Sequence, residues 1–222
     1  ECNLIYGQSQ IAKYIPGNIF HVLGRHFLGS KAGIKHEVLI GVTIYEIVGL
    51  ISSSLIISFI GIGLFELENI YFSKKQIILF LISSFILVIT LIFISPYLMR
   101  KRGIITNKNY FKHSIINIAK TYLLYIFFFL ATGLLFVLIS SMYYEVNYSN
   151  ILKIISIFTI SWFVGFVIPG APGGIGVRET AIIYFMAAAA GEGESVIIAI
   201  AIRFVTLLGD AWFFLINKKK FL

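Results

Sequence analysis

"GFVIPGAPGGIGVRE", residues 165–179, sets five glycines and two prolines into fifteen positions of an otherwise apolar chain. Non-helical backbone is costly in hydrocarbon, and it is tolerated only inside protein or beside a water-filled cavity. Pro169 and Pro172 remove backbone donors and end the preceding helix. Gly170, Gly173, Gly174 and Gly176 permit positive φ and close backbone approach. The pattern predicts a helix that stops near Ile168 and a new one that starts near Val177, with Arg178 and Glu179 in its first turn. The fold to be expected is therefore an all-α, polytopic transmembrane helix bundle with Pro/Gly-broken or re-entrant segments.

The composition places that break in a membrane. Of the 222 residues, 59% are hydrophobic and 13% are charged, against about 25% charged in a soluble domain. So few charges cannot build a water-facing shell. Long uncharged runs argue for helices, since a lipid-facing barrel shows short alternating segments. The net charge of +8 reads as membrane orientation rather than as nucleic-acid binding. A lone cysteine, Cys2, rules out an internal disulfide and a Cys-based metal site. The chain opens on Glu1, which suggests that N-terminal spans precede it; residues 1–222 read as one transmembrane domain.

Spans are expected near 38–64, 77–98, 121–142, 151–168 and 196–216, each close to the ~20 residues that cross the hydrocarbon core. The segment 177–190 is short for a straight crossing and suits a half-helix or one arm of a re-entrant hairpin. Residues 99–120 carry six Lys or Arg and no acid, and Lys218, Lys219 and Lys220 close the chain. Alternating the spans puts 14 of the 18 basic residues on one side. That side is expected to be cytoplasmic, which places loop 99–120 and the C-terminus there in a plasma (inner) membrane. Tyr143, Tyr144 and Tyr148 suit the opposite interface.

The Pro-Gly break has an echo. Pro16 stands nine residues before Arg25 in "YIPGNIFHVLGR", as Pro169 stands nine before Arg178. A helix start with free N–H groups beside an Arg suits a phosphate or carboxylate. Gly173, Gly174, Gly176, Arg178 and Glu179 are the candidate headgroup-binding set, with Lys13 and Arg25 as cations at the cytoplasmic interface. The bland alternatives are a tight interhelical turn for the glycines and snorkelling cations for Lys13 and Arg25. Glu46, Arg203 and Asp210 are ionisable residues inside spans, which mark pathways or ion pairs. Arg203 and Asp210 share a helix face but stand about 10 Å apart along the axis, so each is expected to meet a group elsewhere. Glu46 is the favoured partner for Arg203 or Arg178. His21, His26, His36 and His113 show no metal-ligand spacing, and no metal or cofactor is expected.

"PGGIGVRE", "SQIAKYIPGNIFHVLGR", "YEIVGLI" and "RFVTLLGD" resemble segments of the transmembrane region of the lysylphosphatidylglycerol synthase/flippase family. The resemblance runs from Ser9 to about Asp210. It implies a polytopic domain that moves a lipid between leaflets, and it singles out Pro172, Gly173, Gly174, Gly176, Arg178 and Glu179, then Pro16, Gly17 and Arg25. The family's soluble aminoacyl-transfer domain has no counterpart here, so the resemblance extends to the flippase-like part alone. The leading expectation is a translocase for a phospholipid or lipid-linked carrier, with an anionic lipid headgroup as its ligand. The alternative is a non-transporting membrane partner in a cell-envelope lipid or polysaccharide synthesis complex; an envelope-synthesis protein or further copies of the chain, as a homo-oligomer, are the expected protein partners. No nucleophile–base pair points to an enzyme.

Overall fold

A computed structural model describes residues 2–15, 20–65, 108–168 and 170–218. The expected span 77–98, Pro16, Gly17 and Pro169 lie outside them, as do Lys219 and Lys220. Among the described residues there are seven α-helices and no strands. They are α1 (Cys2–Gln10), α2 (Phe20–Lys31), α3 (His36–Phe65), α4 (Lys108–Ser140), α5 (Ile151–Val167), α6 (Val177–Ala190) and α7 (Glu192–Lys218). Short 3₁₀ turns occupy Ile11–Tyr14, Tyr148–Asn150 and Pro172–Gly174. This is the all-α architecture that the apolar runs predict. Among the described residues, four segments are long and apolar enough to cross a membrane: His36–Gly61, Ala119–Ser140, Tyr148–Val167 and Glu192–Asn217.

The helix breaks fall where the backbone chemistry requires them. α5 ends at Val167, and the chain regains α-helix only at Val177. Gly170, Gly173, Gly174 and Gly176 all have positive φ, a region open to glycine and strained for most other residues. α6 then ends at Gly191, φ +87°, and α7 begins at the next residue. Gly191 donates its N–H to Ala187 O at 3.0 Å, which closes the last turn of α6, while Glu192 and Glu194 occupy the first turn of α7. Carboxylates there complement the N-terminal end of the helix dipole.

The described residues gather into two compact units. The first comprises residues 1–43, 138–146 and 161–222. In it α1 packs on α2 and α7, and α6 packs on α7. A Cβ on Gly7 would lie 2.7 Å from Asn217 Nδ2, so the Asn217 side chain of α7 packs directly against the α1 backbone at Gly7. Tyr6 lies edge-on to Phe213, with ring centroids 6.4 Å apart.

The second unit comprises residues 44–137 and 147–160. Ser52, Ser53, Ser54 and Ser58 are fully buried. Ser52 donates to Val48 O at 2.6 Å and Ser58 to Ser54 O at 2.7 Å, so the helix backbone satisfies these hydroxyls locally. The Ser58 hydroxyl also lies 2.9 Å from Thr159 Oγ1, and Ser156 donates to Ile57 O at 3.0 Å. Small residues let α3 and α5 come this close, and interhelical hydrogen bonds join them, as in other helix pairs that lack a hydrophobic driving force. Phe136 and Phe158 fill the space beside them, with centroids 5.6 Å apart.

Candidate functional site

The polar residues of the first unit converge on the Pro/Gly break. Five chain segments supply them: the end of α5, the 3₁₀ turn at Pro172, the start of α6, the middle of α7 and the 3₁₀ turn Ile11–Tyr14. Arg203 on α7 places Nε 3.1 Å from Glu179 Oε1. The same guanidinium donates from Nη2 to Gly173 O at 3.0 Å. One helical residue thereby ties together the break, the start of α6 and α7. The favoured partner from the sequence was Glu46; Arg203 instead takes Glu179, because the one-residue turn at Gly191 folds α6 back onto α7 and brings that carboxylate alongside. Glu46 lies in α3, within the second unit.

Asp210, two turns along α7 from Arg203, receives two donors. Lys13 Nζ lies 2.7 Å from its Oδ2, and the Tyr14 hydroxyl donates a short hydrogen bond to the same oxygen. Burial pushes the Lys13 ammonium below its usual range, the Asp210 carboxylate partly restores it, and Arg178 and Arg203 lower it further. Burial and the Asp210 charge together push Tyr14 up. The phenol therefore stays protonated and keeps its role as a donor throughout the neutral range. Tyr14 was not among the residues expected at the site; its place after Lys13 in an amphipathic stretch was the available signal.

Arg178 is held differently. Its guanidinium lies over the Trp162 ring, 5.3 Å from the centroid. Its stem passes between two glycines: a Cβ on Gly165 would overlap Arg178 Cγ, and one on Gly174 would lie 2.5 Å from Nε. Gly173 similarly seats the Tyr14 ring, with a hypothetical Cβ only 2.8 Å from Cε1. The glycines at the break thus make room for one cation and one aromatic ring. Arg178 Nε is buried and has no hydrogen-bond acceptor among the described residues. Glu179, by contrast, uses both oxygens: Oε2 accepts the Gly176 N–H at 2.6 Å while Oε1 faces Arg203. The α6 N-terminus is therefore capped by its own carboxylate.

The two remaining cation positions separate. Lys13 joins the cluster through Asp210. Arg25 is buried on α2, with its guanidinium 4.3 Å from the Tyr6 ring centroid. The cluster itself holds three cations, Lys13, Arg178 and Arg203, against two carboxylates, Glu179 and Asp210. It carries an excess of one positive charge beside a break in a helix.

A mostly apolar chain with four helices able to cross a membrane among its described residues, and ionisable side chains gathered at a break before α7, is a multi-pass integral membrane protein. No family model matches the chain, and neither a curated protein nor a solved structure matches it.

Proposed function

We propose that this protein is a lipid translocase of the flippase type, and that the cluster at the Pro/Gly break receives the anionic headgroup of a phospholipid or lipid-linked carrier. The observation that carries this reading is Arg178: a cation threaded between Gly165 and Gly174, stacked on Trp162, with a buried Nε that lacks an acceptor. A buried, unsatisfied donor on a charged group is expensive. The expense is offset when an anion arrives, and a phosphate offers the fork geometry that a guanidinium fits. Lys13 and Arg203 supply further positive potential, and the non-helical backbone gives the headgroup a polar place to pause at low cost. Such a site lowers the barrier to carrying a charged headgroup through hydrocarbon. The cluster lies wholly within one unit. The resemblance of "PGGIGVRE" to flippase-like membrane regions points the same way.

Lipid translocation in proteoliposomes, at matched amounts of folded protein, tests the proposal. Arg178→Ala removes a charge-assisted contact of about 1.5–3 kcal/mol and should slow translocation roughly tenfold or more. Arg178→Lys keeps the charge without the fork and should retain part of the rate. Wild-type movement by Arg178→Ala would leave the break as a structural turn.

A further inference from the structure

We infer that Glu179 is a built-in occupant of the headgroup site, and that an arriving phosphate exchanges with it. This rests on the reading of Arg178 as the headgroup cation. Glu179 places one oxygen on a backbone N–H at the start of α6, at 2.6 Å, and the other 3.1 Å from the Arg203 guanidinium. A phosphate with two unesterified oxygens offers the same paired-acceptor pattern, and a helix start beside an arginine is a favourable seat for it. Arg178, whose Nε has no acceptor, is the residue immediately before Glu179. A phosphate drawn to Arg178 therefore meets a carboxylate of like charge that already accepts the Gly176 N–H and is ion-paired with Arg203. Repulsion favours release of one of the two anions. When Glu179 swings away, the Gly176 N–H and Arg203 become free for the phosphate. When the phosphate departs, Glu179 recaps both. Arg203 also holds Gly173 O at 3.0 Å, so the partner that Arg203 keeps links site occupancy to the backbone of the break.

The exchange predicts an unusual gain of binding. In nanodiscs containing the full chain, Glu179→Gln keeps the size of the side chain but removes the competing charge. It should bind phosphatidylglycerol about fivefold more tightly than wild type, in the range of a partly exposed charge interaction. A phosphatidylcholine nanodisc with inorganic phosphate in the buffer separates the two sources of the anion. The same gain in that arm assigns the exchange to free phosphate; a gain only with phosphatidylglycerol assigns it to the headgroup. In the wild type, modification of Glu179 by a water-soluble carbodiimide, read by peptide mass, should rise when the anion is bound, and this readout requires no variant. Equal or weaker binding by folded Glu179→Gln, or carbodiimide modification unchanged by the anion, overturns the exchange. Arg178→Ala keeps the two readings apart. Binding lost in Arg178→Ala without a gain in Glu179→Gln leaves the headgroup site standing and removes the exchange alone. Binding intact in Arg178→Ala removes the headgroup site, and the exchange with it.

Discussion

Glu179 and Arg203 stand twelve residues before and twelve residues after Gly191, and their charged groups meet at 3.1 Å. Twelve residues of α-helix rise about 18 Å. Two helices joined by a single-residue turn bring such positions to equal depth when they pack side by side, as α6 and α7 do. The ion pair is thus a consequence of hairpin arithmetic. It measures whether α6 is docked on α7.

That relationship gives the first prediction. Both side chains are largely buried, so removing one partner leaves a charge in poor surroundings. Arg203→Gln should cost about 2–3 kcal/mol, somewhat below the cost of breaking a fully buried pair. Adding Glu179→Gln should restore part of the loss, because the second charge no longer lacks its partner. Thermal unfolding in detergent, run as a double-mutant cycle, measures the coupling. Additive losses would show that the pair contributes nothing beyond its separate members.

A second prediction concerns the seat of Arg178. Gly165→Ala places a methyl group on Arg178 Cγ and should cost about 1–3 kcal/mol as an overpacking change. Arg178→Ala removes the obstructing stem, so the double variant should lose much less than the sum of the single ones. The same cycle with Gly174→Ala should recover less. Gly174 has φ +76°, and backbone strain there persists after the stem is gone. Equal recovery at both glycines would mean that packing alone sets the cost.

Much of this architecture was legible beforehand. The segment 177–190 coincides with α6, because Gly176 and Gly191 mark its two ends. The 151–168 span differs from α5 by one residue. α4 begins at Lys108 rather than near 121. Hydropathy detects only the lipid-compatible part of a helix, whereas the backbone ladder continues through the polar residues before it. Within the site, Arg178, Glu179, Arg203, Asp210 and Lys13 were each visible as unusual residues. Their pairing was not. The partner of Arg203 depends on the Gly191 turn, and that of Asp210 on where the N-terminal 3₁₀ turn docks. Equal spacing about Gly191 was the one signal that pointed to Glu179. The glycines read as a cradle of N–H groups, yet Gly165, Gly173 and Gly174 serve as spaces for side chains.

Asp210 gives the third prediction. Lys13 and Tyr14 converge on one of its oxygens, so each should matter less alone than the carboxylate that joins them. Tyr14→Phe should cost about 1 kcal/mol, and Asp210→Asn should cost more, since it leaves the half-buried Lys13 ammonium without a counter-charge. The pH response separates the two. Asp210 holds Lys13 up against burial, so its removal should lower the Lys13 pKa further. A group whose folded pKa lies below its unfolded value binds fewer protons in the folded state, and stability then rises with pH. Asp210→Asn should therefore regain stability relative to wild type as pH is raised from neutral towards 10, whereas Tyr14→Phe should show no such recovery. Parallel pH curves for Asp210→Asn and wild type would remove the assigned coupling.

The last prediction fixes the orientation of the Ala119–Ser140 helix in the bilayer. By the charge bias, the basic loop 99–120 and the C-terminal lysines should lie on the cytoplasmic side. α4 begins at Lys108, eleven residues before the apolar span that starts at Ala119. About 16 Å of helix therefore separates Lys108 from the start of that span. A cysteine at Lys108 in a Cys2→Ser background should react with a membrane-impermeant maleimide only after cells are opened. One at Tyr148, which is almost fully exposed next to the α5 span, should react in intact cells. The two positions flank the Ala119–Ser140 span, so opposite accessibility follows if that span crosses once. Labelling of Lys108→Cys in intact cells, with protection of Tyr148→Cys, would invert the Ala119–Ser140 helix and overturn the charge-based topology. Equal labelling of both would mean that the Ala119–Ser140 helix does not cross at all.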